Sequence, residues 1–387
     1  MKQRLIAFIL LVTLALPALS ACSTATTPTP QETAATEVTA ATEAPAAENV
    51  TVTDLLGRQV DIPAEVRRIV AIGPGALRLY VYAGNLDYVV GVEEWETGDA
   101  GGKTYMLANP DLAKLPIIGQ GGPNNAPDPE KLLTVEPQVI FSTYGSEAAA
   151  ADELQQKTGI PVVMLGSGGL GGTNIFSEKV QDALKLVGQI IGDNTKAQAA
   201  INFIVKAQQD LDARTKNVAD ADKPTVYVGG IRSKGAHSIE STQGEYALLD
   251  VLHAKNVADE TGKSGLVMID KEKLLEWNPT FIFIDKGGYA LVKEDYQKNP
   301  DFYNSLAAVR EGKVYSQLPY NFYNTNIDTA IADAYFMGKI LYPEAFADVD
   351  PAQKADEIYQ ALLGQRLYAK MVELFGGFGV LKLSGRP

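Results

Sequence analysis

The chain has 387 residues, of which 46% are hydrophobic and 21% are charged, a composition typical of globular proteins. Its 47 acidic and 34 basic side chains give a net charge of −13, which argues against nucleic-acid binding because that function needs a basic surface. One Cys and two His exclude a disulfide scaffold, a Cys-rich zinc site and an iron–sulfur cluster. The length favours two domains over one.

The amino terminus has the features of a lipoprotein signal peptide. A positively charged start precedes an apolar run over residues 5–16, which is too short to span a bilayer. The tetrapeptide Leu-Ser-Ala-Cys, which ends at Cys22, resembles a bacterial lipobox, where cleavage precedes a lipidated Cys. We therefore expect residues 1–21 to be removed and Cys22 to anchor the protein outside the cytoplasmic membrane, either in a periplasm or on the cell surface.

The segment after the lipobox is predicted to be a disordered tether. Residues 22–49 are rich in Thr, Ala, Pro and Glu and contain no aromatic and no basic side chain. Such a composition cannot bury a hydrophobic core. The globular part of the protein is therefore expected to begin at residue 50.

From residue 50 onward, apolar runs with strand character alternate with helical patterns, which predicts an α/β fold with mainly parallel sheets. Residues 177–218 between two sets of strands are helix-permissive almost throughout, although Gly192-Asp193-Asn194 can kink or split a helix. We therefore predict an N-terminal lobe over 50–175, a helical bridge over 176–218 and a C-terminal lobe over 219–387. The predicted strands are 69–72, 88–92, 138–142, 160–165, 225–229, 280–285 and 313–316.

An internal repeat supports the division into two lobes. Residues 128–141 and 270–283 are identical at eight of fourteen positions. Each copy has an Asp at a helix N-cap position, a short helical pattern, a Pro and a buried strand.

These features resemble the substrate-binding lipoproteins of iron-chelate and cobalamin ABC importers, and the resemblance covers about residues 50–346. The segments that carry it, besides the lipobox and the repeat, are 52–58, 63–70, 91–93 and 306–315. The resemblance implies two α/β lobes joined by one long bridging helix, with the ligand in the cleft between them. It also implies a monomeric receptor without catalytic activity or cofactor, which delivers its ligand to an ABC permease dimer with its ATPase. In this family one Glu on each lobe docks onto the permease, and the matching residues are Glu130 and Glu272.

The candidate ligand contacts follow the carboxyl ends of the predicted strands, where parallel α/β sheets bind ligands. Arg78 would lie in the first turn of a helix after a Gly-rich loop, where anions are favoured. Tyr320 and Tyr323 are candidate metal ligands because phenolate oxygen suits Fe(III). The full set is Arg78, Trp95, Tyr144, Arg232, Lys286, Tyr289, Tyr320, Asn321 and Tyr323.

The basic residues among these loops indicate an anionic, oxygen-rich ligand. A ferric siderophore fits best, while haem, cobalamin and another small metal-chelating anion remain alternatives. Two His are too few for the imidazole-rich sites of bare Zn or Mn ions.

Two other functional classes compete with this reading. Residues 166–171 satisfy the dinucleotide pattern G-x-G-x-x-G after a strand, but no acidic residue ends a strand about 20 positions later, as that fold requires. We therefore expect no enzyme. A sensory or adhesive surface lipoprotein that binds a ligand without transport is the other alternative.

Overall fold

Short runs of Val, Ile and Phe form the interior strands of two four-stranded sheets in the computed structural model of the protein. The structure describes residues 49–98, 102–166, 174–232, 235–321 and 324–383. The strands are β1 (Asn49–Thr53), β2 (Gln59–Pro63), β3 (Ile69–Ile72), β4 (Val89–Gly91), β5 (Val139–Ser142), β6 (Val162–Met164), β7 (Thr225–Gly229), β8 (Ser241–Gly244), β9 (Lys255–Asn256), β10 (Gly265–Met268), β11 (Phe281–Asp285) and β12 (Val314–Gln317).

The helices account for about half of the remaining described residues. They are α1 (Ala76–Ala83), α2 (Glu94–Thr97), α3 (Thr104–Ala108), α4 (Pro129–Thr134), α5 (Ala148–Thr158), α6 (Glu178–Ile190), α7 (Thr195–Thr215), α8 (Ala247–Asp250), α9 (Lys271–Trp277), α10 (Tyr289–Lys298), α11 (Pro300–Ser305), α12 (Ala307–Arg310), α13 (Ile327–Leu341), α14 (Pro351–Leu363) and α15 (Tyr368–Phe375). In the part of the chain that the structure describes, no helix is both long enough and apolar enough to cross a membrane.

The sheet of the N-terminal lobe has the order β4-β3-β5-β6, and all its strand pairs are parallel. Every residue of β3 and β5 is buried, as expected for parallel strands covered by helices on both faces. All four strands predicted in this lobe are confirmed. The antiparallel hairpin of β1 and β2, which begins at Asn49, was not predicted.

The sheet of the C-terminal lobe repeats this design with the order β12-β11-β7-β9, again parallel throughout. The three strands predicted here are confirmed as β7, β11 and β12. A separate antiparallel pair, β8 with β10, was not predicted. The chain after α15 runs along the outer edge of β12, where the Ser316 N–H donates to the Gly379 carbonyl, so this sheet edge is covered and cannot pair with another chain.

The helical segment predicted over 177–218 forms two helices, α6 and α7, rather than one. Gly192 adopts a positive φ of 70°, and the carboxylate of Asp193 accepts a hydrogen bond from the Thr195 N–H at 2.9 Å. These two residues end α6 and start α7, because a left-handed glycine stops a helix and an Asp favours a new one. The 21 residues of α7 span about 30 Å and lead from the N-terminal to the C-terminal lobe.

The internal repeat is confirmed as one local structure present on both lobes. Asp128 accepts a hydrogen bond from the Lys131 N–H at the start of α4, and Asp270 accepts one from the Lys273 N–H at the start of α9. Each helix then leads into a buried central strand, β5 or β11.

The start of α13 ties the C-terminal lobe to the N-terminal lobe through buried Asp328. Its carboxylate accepts hydrogen bonds from the Tyr82 hydroxyl on α1 at 2.5 Å and from the Thr104 hydroxyl on α3 at 2.8 Å. Thr329, next to it on α13, donates a third at 2.8 Å. Both α1 and α3 belong to the N-terminal lobe, so one side chain of α13 joins the two lobes.

Replacement of Asp328 by Ala should lower the free energy of unfolding by about 3 kcal/mol, because the buried hydroxyls of Tyr82 and Thr104 would lose their acceptor. Urea unfolding monitored by circular dichroism measures this loss. The matched control is Asp182→Ala on α6, since that carboxylate is half exposed and pairs with Lys185 on the same helix. Equal stability of the two variants would contradict the role given to Asp328.

Candidate functional site

The loops at the carboxyl ends of the two parallel sheets face each other across the junction of the lobes. Asn324, which follows β12, donates from its side-chain amide to the Pro74 carbonyl after β3 at 3.1 Å. Asn326 donates in the same way to the Gly102 carbonyl at 2.8 Å. Gly75 permits this approach, since a Cβ there would lie 1.8 Å from the Asn324 amide nitrogen. These carboxyl edges, where parallel α/β sheets bind ligands, lie opposite each other, and we call them the N-terminal and C-terminal walls of the candidate cleft.

Two basic side chains stand on the C-terminal wall. Arg232 follows β7 and Lys286 follows β11, and both are partly exposed. The Lys286 amine lies 4.4 Å from the centre of the Tyr289 ring, and its pKa is lowered by burial and, less strongly, by Lys293. Gly287 leaves room for Arg232, because a Cβ at this position would lie 2.0 Å from the Arg232 Cδ. Any larger residue at 287 would displace the guanidinium.

Buried carboxyl groups lie beneath this wall. The Asp285 side chain accepts a hydrogen bond from the Gly287 N–H at 2.7 Å, and burial raises its pKa to about 7 against the opposing effect of the Gly287 N–H and of Arg232. Asp333 on α13 accepts one from the Leu318 N–H at 2.9 Å, and burial, together with nearby Asp285, holds its pKa well above the usual range. Each carboxyl has a second oxygen without a hydrogen-bond partner among the described residues. We call Asp285 and Asp333 the acid pair.

Tyr320 is buried beside the acid pair rather than exposed on the wall. It is 5% exposed, its ring centre lies 6.4 Å from that of Tyr246, and Tyr246 donates to the Gln317 side chain at 2.8 Å. Burial raises the pKa of the Tyr320 hydroxyl. The phenolate needed to ligate Fe(III) is therefore disfavoured at this position in the structure.

Aromatic side chains stand on the N-terminal wall. Trp95 on α2 and Tyr144 after β5 are partly exposed. Buried Lys103 supports Trp95 by donating to its carbonyl oxygen at 2.5 Å, with the amine 5.5 Å from the centre of the indole ring. Glu93, two residues after the end of β4, accepts a hydrogen bond from the Gly73 N–H at 3.0 Å, and burial raises the pKa of its carboxyl group to about 8.

Arg78 occupies the interior of the N-terminal lobe instead of its surface. Its side chain is 2% exposed, and the guanidinium carbon lies 5.0 Å from the centre of the Tyr105 ring. Tyr105 in turn donates to the Glu96 carboxylate at 2.5 Å. The Nε and Nη1 atoms of Arg78 have no hydrogen-bond partner among the described residues.

The structure thus places most of the predicted ligand contacts on the two walls and buries Arg78 and Tyr320 behind them. Asn321 is partly exposed and bridges to Thr325 in the loop after β12, while Tyr323 and Cys22 lie outside the described residues. Glu130 and Glu272 are exposed on α4 and α9. Within the described residues no group of three or more His, Cys, Asp or Glu is placed to hold a metal ion.

Glu93 and the acid pair were not among the predicted site residues. Glu93 lies two residues after the end of β4, and Asp285 is the last residue of β11. An acidic residue at the carboxyl end of a buried strand was the available signal. Asp333 gave no such signal, because it lies within a helix whose residues are almost all buried.

Comparison with known proteins identifies the family. The sequence profile of the periplasmic binding proteins matches residues 69–319, which is more than half of the chain. An ABC transporter substrate-binding lipoprotein of Bacillus subtilis, YvrC, is 23% identical over 301 residues, which cover 77% of this chain and 87% of that protein. The molybdate-binding protein MolA of Haemophilus influenzae is 24% identical over 327 residues, covering 80% of this chain and 89% of MolA.

Solved structures agree in fold. A periplasmic solute-binding protein from Veillonella parvula superposes with a TM-score of 0.66 at 19% identity and covers 85% of this chain and 97% of its own. MolA with bound molybdate gives a TM-score of 0.62 at 22% identity, with coverage of 82% and 98%. The family match and the two-lobed architecture agree: this chain is a member of the periplasmic binding protein family, a substrate-binding protein of the ABC importer type and not an enzyme.

Proposed function

We propose that the protein captures an anionic metal chelate, with a ferric siderophore as the first candidate, and delivers it to an ABC permease. The observation that carries this proposal is the pair of basic side chains, Arg232 and Lys286, on the C-terminal wall of a protein whose net charge is −13. Because burial raises the pKa of both members of the acid pair beneath them, these carboxyl groups oppose the positive field less than surface carboxylates would.

Aromatic surfaces on both walls support a chelate with flat rings. Trp95 and Tyr144 stand on the N-terminal wall and Tyr289 on the C-terminal wall, and each is partly exposed. Aromatic rings of a siderophore can pack against such side chains while its anionic oxygens face the basic wall. We propose Asn321 and the loop that contains Tyr323 as further contacts, since they follow β12 at the same edge.

A small oxyanion such as molybdate is the second candidate. It is favoured by the similarity to MolA, whose name and bound structure state that ligand. The same two basic side chains would bind it, but the aromatic side chains of the walls would have no rings to contact.

A binding panel distinguishes these candidates. The protein used is the compact unit that begins at Ala47. The ligands tested are ferric tris-catecholate, a ferric trihydroxamate, haem, cobalamin and molybdate. The Trp277→Phe variant restricts the fluorescence signal to Trp95, because these are the two Trp of the chain. Saturable quenching by a ferric chelate supports the first candidate and binding of molybdate alone supports the second, whereas no binding would contradict both.

Replacement of Arg232 or Lys286 by Ala should weaken binding of the chelate by at least about ten-fold, since a hydrogen bond to a charged group contributes about 1.5–3 kcal/mol. Isothermal titration calorimetry measures the change. Lys298→Ala, at the exposed end of α10, is the matched control and should bind as the parent does. Equal affinity of all three variants for the chelate would contradict a role of Arg232 and Lys286 in binding.

Affinity for the anion should fall several-fold as the pH rises from about 6 to 8. The Asp285 carboxyl, with its pKa raised to about 7, is mostly neutral at the lower pH and ionised at the higher, where it offsets the charge of Arg232. Asp285→Asn retains an acceptor for the Gly287 N–H but cannot ionise, so its affinity should change less across this range. Titrations of molybdate or chelate at several pH values test this, and parallel curves for parent and variant would contradict it.

Delivery to the permease is proposed to involve Glu130 and Glu272. Both carboxylates are exposed, one on each lobe, and neither forms an ion pair among the described residues. Reversal of both charges, Glu130→Arg with Glu272→Arg, should abolish uptake into vesicles that hold the permease and ATPase while leaving ligand affinity unchanged. Glu153→Arg with Glu311→Arg, also exposed and on separate lobes, is the control. Loss of ligand affinity in the first pair would argue against docking.

A further inference from the structure

The two lobes expose the same apolar residue at equivalent positions of the internal repeat. Leu133 on α4 is 45% exposed and Leu275 on α9 is 39% exposed. The residue before each of them, Leu132 or Leu274, is buried in its lobe. The repeat therefore preserves one Leu for the core and one Leu for the surface on both lobes.

Each exposed Leu lies beside the exposed Glu of the same helix. Glu130 precedes Leu133 by three residues, and Glu272 precedes Leu275 by three, a spacing that places both side chains of a pair on one face of a helix. We name the two pairs the Glu–Leu patches.

The start of α4 lies near the carboxyl edge of its sheet, because Asp128 approaches Gly119, whose carbonyl accepts a hydrogen bond from the Glu94 N–H after β4. The start of α9 lies near the end of β7, because the Ile269 N–H donates to the Glu240 carbonyl and the Ile231 N–H after β7 donates to the neighbouring Ser241 carbonyl. Both patches therefore lie on the side of the molecule where the cleft is formed.

Single exposed Leu side chains are common on protein surfaces and need no explanation. The Glu–Leu patches differ because the N-cap, the buried Leu, the exposed Leu and the exposed Glu all recur on the second lobe. A partner that contacts both patches must present two similar surfaces, as a homodimer does. The exposed carboxylates require basic groups on that partner, and the Leu side chains require an apolar contact beside them.

We propose that Leu133 and Leu275 insert into equivalent apolar pockets on the two subunits of the permease, next to the basic groups that receive Glu130 and Glu272. This inference rests on the proposed docking role of the two Glu residues and adds an apolar contact to it. The Glu residues supply attraction that depends on salt, and the Leu residues supply contact area that does not.

The test measures binding of the lipidated full chain to its permease–ATPase complex in nanodiscs at low and high ionic strength. Leu133→Ala and Leu275→Ala should each weaken binding about ten-fold, by similar factors and equally at both salt concentrations. The affinity for the ligand and the unfolding midpoint should stay unchanged. Val50→Ala and Leu374→Ala, with 45% and 42% exposure in the parent, are the matched controls and should bind normally.

The Glu130→Arg, Glu272→Arg double variant separates the two proposals. If it loses binding while the Leu variants bind normally, the apolar contact is wrong and docking through the Glu residues stands. If neither set of variants changes binding, the docking proposal itself fails. A loss confined to one of the two Leu variants would overturn the inference that the two pockets are equivalent.

Discussion

The cleft depends on residues 324–328, at the start of α13, which belong to one lobe and are hydrogen bonded to the other. Asn324, Asn326 and Asp328 each bind a group of the N-terminal lobe, and all three are buried. A buried polar group is costly unless it is paired, so these contacts favour one relative position of the two sheets. With the lobes joined in this way, the loops at the carboxyl ends of both sheets stay opposite each other. The bridging helix α7 connects the lobes along the chain, while this segment fixes the walls of the cleft.

The charge distribution explains how an acidic protein can bind an anion. The acidic excess is spread over the exposed helices, where many carboxylates pair with lysines. Beneath the C-terminal wall lies the acid pair, and burial raises the pKa of both carboxyl groups. Arg232 and Lys286 therefore lie above two carboxyl groups that carry less negative charge near neutral pH than surface carboxylates do. The net charge alone would have suggested a cationic ligand, because it sums the charges of surfaces that do not contact the ligand.

The sequence predicted the parts of the fold that depend on local pattern. The seven strands could be predicted because buried parallel strands are short runs of Val, Ile and Phe. The repeat could be recognised because each copy has an Asp at the helix N-cap position. The β1–β2 and β8–β10 pairs were missed since their residues are largely polar or exposed. The burial of Arg78 and Tyr320 was not predictable, because it depends on α3 and α8, which approach from distant parts of the chain. The sequence pattern around Asn324 and Asn326 indicates only a turn. Their contacts with the other lobe depend on the folded chain and could not be predicted.

Hydrogen–deuterium exchange of the protein with and without saturating ferric tris-catecholate tests the central claim most directly. A ligand held between the two walls should slow exchange in the loops that follow β4 and β5 on one lobe and β7, β11 and β12 on the other, including the residues around Tyr144 and Lys286. Exchange in α5 and in the β1–β2 hairpin should not change. Protection of one lobe alone, protection restricted to the outer helices, or no protection at all would contradict a binding site shared by the two lobes.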